Sequence, residues 1–259
     1  MKREKGKARR IINTLMPLTG VAAAVAVWWI ASAVYANPVL FPSPADSLIR
    51  ALELFPSDDF PLRLMNTFLR GSLSFVVSYI CALGCAVICR STGIFKAVNP
   101  VISAVRAVPT ITVILLVFLW TGAKITPVIV ASLVVFPTLF TMFYSALSGI
   151  DKAYVEGVWL EGGGRLSIIR YVYVPFMHTS LIEGAGSGLS LSLKLVVSAE
   201  AIAQTALSIG AMMKQASAEF DPATLFATAL IIALLCILIE WSIPAIDRKI
   251  TKGKYEDQV

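Results

Sequence analysis

Apolar residues run along this chain in long blocks separated by short polar stretches, and six of the blocks are long enough to cross a bilayer. They cover about Leu15–Ala36, Gly71–Cys89, Val101–Trp120, Ile125–Leu147, Thr179–Ala199 and Ala223–Ile243. Roughly 20 apolar residues form a helix that spans a hydrocarbon layer of about 30 Å. Backbone groups in lipid must be satisfied within the segment, and the blocks lack the alternation of barrel strands. The pattern predicts an all-α membrane protein with six transmembrane helices. A further stretch, Leu48, Ile49, Leu52 and Phe55 after Pro42-Ser43-Pro44, predicts an interfacial amphipathic helix capped by Ser43 or Asp46.

This divides the chain into a basic N-terminus (1–14), a first span (15–36) and a segment carrying the amphipathic helix (37–63). A five-helix core (64–247) with a polar loop at 148–177 and a short tail (248–259) follow. Ala31-Ser32-Ala33 after a basic start also fits a cleaved signal peptide. The longer apolar run with Trp28 and Trp29 favours a retained span.

Composition agrees with lipid as the solvent: 57% of residues are hydrophobic, 15% are charged and the mean hydropathy is +0.79. The net charge of +6 is distributed by side. Lys2, Arg3, Lys5, Lys7, Arg9 and Arg10 share a face of the membrane with Arg90, Lys96, Lys152, Arg165, Arg170, Arg248, Lys249, Lys252 and Lys254. The opposite loops hold only Arg50, Arg63, Lys124 and Lys214. The positive-inside rule then predicts that both termini and the 148–177 loop are cytoplasmic. The charge reports topology, and no basic groove or aromatic platform for nucleic acid accompanies it.

That loop contains the densest pattern. Asp151 caps a short helix with Tyr154, Val155, Val158 and Trp159 on one face, and Gly162-Gly163-Gly164 stops it. A second amphipathic piece with Leu166, Ile169, Val172 and Tyr173 follows, bounded by Pro175. Two short amphipathic helices joined at a glycine corner need a surface to bury against, either another protein or lipid headgroups.

Charges and breakers within the spans are the other candidates. Arg106, Lys194 and Glu200 either line a translocation path or gate, or are structural groups that snorkel and pair with neighbouring acids. Pro109 and Pro137 remove backbone hydrogen bonds and predict bent helices. The run from Gly184 to Ser192 predicts a narrow helix suited to close packing. Catalysis has little support. No phosphate-binding Gly-x-x-x-x-Gly-Lys-Ser/Thr loop is present, and His178 lies far along its helix from Ser187. Cys81, Cys85 and Cys89 share a helix face without a histidine and are expected to pack rather than bind metal.

The order Glu156, Gly157, Val158, Gly162, Val172, Val174, Pro175 resembles the EAA loop of bacterial ABC-importer permeases: Glu, two small residues, Gly, then Ile-x-Leu-Pro. Gly157 and Val158 replace the usual alanines, and valines replace Ile and Leu. The Pro42–Pro44 segment, Thr67-Phe68-Leu69-Arg70, Arg106-Ala107-Val108-Pro109, Phe136-Pro137 and Ser198-Ala199-Glu200 are similar to features of the nitrate/sulfonate/taurine branch. Thr205–Gly210 departs from the Ser-Gly-Leu-Gly run frequent there.

The resemblance implies a type I importer permease in a bacterial inner membrane, with no cofactor of its own. ATP and Mg would be held by two copies of a separate ABC ATPase, docked on coupling helices around Glu156 and Gly162. Two permease chains, as a homodimer, would receive cargo from an external substrate-binding protein. Sulfonates, nitrate-like anions and vitamin precursors all fit as cargo. An ion-coupled secondary transporter using the buried Lys and Glu is the alternative.

Overall fold

The computed structural model of the chain describes residues 2–35, 41–57 and 59–256. Residues 36–40 at the end of the first expected span, Asp58 and residues 257–259 of the expected tail lie outside the described residues. The helices are α1 (Lys2–Tyr35), α2 (Pro44–Leu54), α3 (Phe60–Thr92), α4 (Phe95–Ala107), α5 (Thr110–Ser148), α6 (Lys152–Leu160), α7 (Arg165–Ile168), α8 (Val174–Ala203), α9 (Ile209–Ala218) and α10 (Pro222–Glu256). A π-turn, Ile169–Tyr173, lies between α7 and α8. Among the described residues the chain is all-α.

Among the described residues, four helical stretches have the length and apolarity to cross a membrane: Phe60–Thr92, Thr110–Ser148, Arg165–Ala203 and Pro222–Arg248. A shorter apolar helix runs over Thr19–Tyr35. The third and fourth expected spans need a finer description. Helix α5 turns sharply at Gly122 (φ 70°, ψ 174°), so the expected boundary near 120–125 is a tight turn rather than a loop. The third span is not one helix. Helix α4 ends at Ala107, Val108 and Pro109 are extended, and α5 starts at Thr110. Proline at 109 offers no N–H to α4 and clashes with its preceding turn, so the helix breaks there. Pro137, in contrast, stays inside α5.

The chain forms two compact units. The smaller comprises residues 1–57 and 215–231. Here Ser43 caps α2 in a capping box, accepting from the Asp46 N–H while the Asp46 carboxylate accepts from the Ser43 N–H. The Trp28 ring stacks on Phe226, and its Nε1 donates to the Pro42 carbonyl at 3.1 Å. Asp221 accepts from the Thr224 N–H at the start of α10.

Burial would raise the Asp221 carboxyl, but the Thr224 hydroxyl and amide, Arg50 and the Ala223 amide together hold it below the usual range. A depressed carboxyl stabilises above its ordinary pKa and loses that contribution as pH falls through the lowered one. The protection factor of the Thr224 amide, the intrinsic exchange rate divided by the observed rate at the same pH, is therefore expected to be high at neutral pH and to fall as Asp221 protonates. An unchanged protection factor across that acid window would contradict this.

The larger unit, residues 58–214 and 232–259, holds the main core. Helices α3, α5 and α8 pack around Phe140, Phe143, Leu139, Leu147 and Met177, with Ala82 and Ala86 of α3 letting the helices close up. A Cβ on Gly184 would sit 2.8 Å from the Phe143 ring, and one on Gly188 would sit 3.0 Å from Leu139. The narrow run is thus a helix–helix seam. Serines join the helices by hydrogen bonds: Ser192 donates to the Gly71 carbonyl at 2.8 Å and Ser190 to the Cys236 carbonyl at 3.0 Å. Every buried side-chain nitrogen or oxygen among the described residues has a partner, as a low-dielectric interior requires.

Candidate functional site

The segment from Asp151 to Pro175 has the local structure its residues dictate. The Asp151 carboxylate accepts from the Ala153 N–H at 3.0 Å and caps α6. The helix ends at the glycine corner, where Gly162 has φ +79°, a conformation costly for any residue with a Cβ. Gly163 acts differently. Its Cβ would lie 2.6 Å from Val158 Cγ1 and 2.8 Å from the Val158 carbonyl, so the chain doubles back only because no side chain is there. Spacing gave no sign of this second requirement.

One expected face of α6 splits in two. Val155 and Val158 pack against the bundle core, whereas Tyr154 and Trp159 stay exposed. Glu156 and Gly157 are also exposed. At the corner, Leu160 is 88% exposed and Leu166 79%, large apolar side chains left uncovered by the described residues. Val172 and Tyr173 are buried, and Val174 and Pro175 are exposed.

Pro175 does not bound the second piece, as the sequence suggested. The helical path runs from Arg165 to Ala203, and the π-turn lies immediately before the proline. There the Val174 N–H reaches the Ile169 carbonyl, and this wider turn makes room for the ring that would otherwise press on the preceding turn. A force applied to the corner therefore enters the long helix directly.

Several charges of the larger unit are paired. Glu200, fully buried at the end of α8, accepts from Arg70 Nη1 at 2.8 Å, from the Thr67 hydroxyl at 2.9 Å and from the Gly210 N–H at 3.3 Å. Thr67 in turn accepts from the Ile209 N–H at 3.0 Å. The connection between α8 and α9 is thereby tied to α3. Thr205 adds a bond to the Ala123 carbonyl, and Ser208 caps the next turn through the Ala211 N–H. The departure noted at Thr205–Gly210 is the segment that completes this network. Arg70 and Thr67 were noted in the sequence only as a motif; a contact spanning 130 positions leaves no periodic signal.

A Cβ on Gly210 would overlap the Val197 carbonyl and lie 2.6 Å from the Ala201 nitrogen. Gly210→Ala is therefore expected to destabilise by about 1–3 kcal/mol, read as a lower unfolding temperature in detergent. An unchanged midpoint would contradict it.

Lys194 lies 3.9 Å from Glu240, both half-exposed, and His178 Nε2 lies 3.0 Å from Asp247. Arg106 has no ion pair among the described residues. Its one hydrogen bond, to the Thr141 hydroxyl, is 3.5 Å long. No group of three or more potential metal-ligating side chains converges among the described residues.

Comparison with known proteins follows the same outline. Residues 67–252 match the model of a family described as binding-protein-dependent transport system inner membrane component. The riboflavin transport system permease protein RibX of Chloroflexus aurantiacus is 30% identical over 56% of this chain, and the match spans 54% of that protein. The taurine transport system permease protein TauC of Escherichia coli is 22% identical over 92% of this chain and 89% of that protein. The formylaminopyrimidine transport permease protein ThiX of Halalkalibacterium halodurans is 24% identical over 89% and 92%.

Among solved structures, a chain of a bacterial ABC transporter for alginate superposes with a TM-score of 0.66 at 17% identity, covering 95% of this chain and 99% of that one. A chain of the inward-facing MetNI methionine ABC transporter also gives 0.66 at 16% identity, over 74% and 98%. At these identities the structures speak for the fold.

Proposed function

The chain belongs to the family of binding-protein-dependent transport system inner membrane components, and on that premise we propose that its Asp151–Ile168 corner is the docking element for a separate ATPase. It is a transmembrane permease subunit of an ATP-binding cassette importer. The observation that carries the docking assignment is the exposed apolar corner: Trp159, Leu160 and Leu166 project on either side of a glycine turn that follows a capped helix.

Glu156 is the polar anchor in the ATPase groove, Gly162 sets the corner, and Val172, Val174 and Pro175 carry its movement into α8. Two permease chains pair on two ATPase subunits, which hold ATP and Mg, and an external binding protein delivers cargo. Both termini and the corner face the cytoplasm, as the distribution of Lys and Arg supports. ATP-driven closure of the ATPases draws the corners together and tilts the spans between inward- and outward-open states. The cargo is a small solute of the sulfonate, nitrate-like anion or vitamin-precursor classes.

The test is purification from the native membrane followed by uptake in vesicles. An ATPase is expected to copurify, and uptake is expected to stop without ATP yet persist when ion gradients are collapsed. Gradient-driven uptake with no ATPase present would establish the secondary-transporter reading instead.

A further inference from the structure

Arg90 and Arg165, far apart in sequence, open on one cavity of about 260 Å³ at the root of the corner. Ser91 of α3, Trp159 of α6 and Tyr173 of the π-turn are among its other walls, and no carboxylate is. Arg90 stands in the last turn of α3, where its Nε donates to the Leu147 carbonyl at 3.2 Å. That bond holds the guanidinium by one nitrogen and leaves its Nη groups for other partners. Arg165 opens α7 and is exposed. Neither forms an ion pair among the described residues. Other cations of the chain are unpaired too, so that state alone distinguishes nothing. Here two guanidiniums share a cavity with no acid in its walls, and their charges repel unless an anion enters.

The depth of the cavity narrows the choice of anion. Helix α3 has 33 residues, whereas roughly 20 cross the hydrocarbon layer, so its last turn reaches the headgroups. Trp159 in the wall suits that boundary. At about 3.6 residues per turn, Leu73, Val77, Ile80 and Ile88 lie on the side of α3 that carries Ser91. All four are exposed, so an uncovered apolar stripe runs along the span to the cavity wall.

We propose that this cavity holds the phosphate of an anionic phospholipid whose acyl chains lie along α3. An arginine can meet two phosphate oxygens in parallel, and basic pockets at the cytoplasmic ends of spans take acidic headgroups. A zwitterionic headgroup brings no net negative charge to offset two guanidiniums. The volume falls below the about 300–1,000 Å³ of pockets for drug-sized ligands, which suits a phosphoglycerol head better than a whole nucleotide. Leu160 and Leu166 are not among the walls, so a lipid here leaves the tip of the corner to the ATPase. The site needs the chain in a membrane and does not rest on the ATPase contact.

The test uses the intact importer in nanodiscs of phosphatidylcholine and phosphatidylglycerol in equal parts, with native mass spectrometry reading the lipid retained on the released complex. Phosphatidylglycerol is expected to be retained over phosphatidylcholine. Arg90→Gln and Arg165→Gln are each expected to weaken that retention by about fivefold, the worth of one cation near an anionic surface. Should Arg90→Gln, which also gives up the Leu147 bond, fail to assemble, Arg165→Gln carries the test, since Arg165 is exposed and holds no ion pair among the described residues. Lys96→Gln removes an exposed cation of α4 outside the cavity and is expected to leave retention unchanged. Inorganic phosphate added in excess is expected to leave the lipid in place.

Equal retention of the two lipids would overturn the proposal, as would retention indifferent to both arginines. An equal loss with Lys96→Gln would reduce it to a general attraction of the basic face. Displacement by inorganic phosphate would move the source of the anion to solution and overturn the lipid assignment. Copurification of the ATPase reports on the importer reading separately.

Discussion

Lysine in place of Glu156 is expected to abolish ATP-driven uptake while the chain still accumulates in the membrane at its normal level. Glu156 is exposed on α6, and no ion pair holds it among the described residues. Reversing an exposed charge changes stability by roughly 0.5 kcal/mol or less, so the fold has no reason to fail. A partner whose groove receives that carboxylate would instead meet a lysine. Desolvating an interfacial charge beside the wrong partner costs several kcal/mol.

Gly162→Trp tests the same element through geometry. At φ +79° an L-residue is strained by about 1–2 kcal/mol, and the side chain would stand in open space on the proposed docking surface. Uptake in vesicles, normalised to the amount of inserted chain, is the measurement. Normal uptake by both variants would remove the coupling role from the corner.

The largest effect on stability is expected at Glu200. Removing one partner of a buried ion pair leaves the other charge uncompensated, at a cost of about 3–5 kcal/mol. Glu200→Ala would strand Arg70, and it would also leave the Thr67 hydroxyl and the Gly210 N–H without their acceptor. Arg70 is 19% exposed, so partial solvation places the loss toward the lower end of that range.

Arg70→Leu in the same chain is expected to recover much of the loss, because a buried pair replaced by apolar groups is often neutral. Thermal unfolding of the single and double variants in detergent measures both steps. If Glu200→Ala unfolds at the temperature of the parent, the network is not what holds the α8–α9 connection to α3. The same set tests the alternative role of Glu200 in the pathway, since a purely structural pair permits uptake in the rescued double variant.

The parts of the fold set by local rules were legible in the residues, and those set by distant contacts were not. Apolar blocks of spanning length became helices because lipid leaves the backbone no other partner. Asp151 and the glycine triplet marked both ends of α6, and the Ser43–Asp46 box marked the start of α2, through bonds within a few residues. Pro109 read as a bend but is a full break, since extended Val108 lets α4 and α5 part. Pro175 read as a boundary but lies within a continuous helical path, since a preceding π-turn accommodates it.

The expected α6 face failed for a tertiary reason. The bundle takes Val155 and Val158, and the larger rings remain outside. Nothing local announces that Arg70, rather than a nearer cation, reaches Glu200, or that Gly210 must lack a Cβ.

A photoreactive residue at Leu160, irradiated in the intact complex isolated from its native membrane, tests the docking assignment most directly. The account predicts a covalent adduct to the ATPase subunit, lost in the Gly162→Trp background. Adducts to lipid alone, or labelling of Leu160 by an impermeant reagent added outside sealed cells, would contradict it.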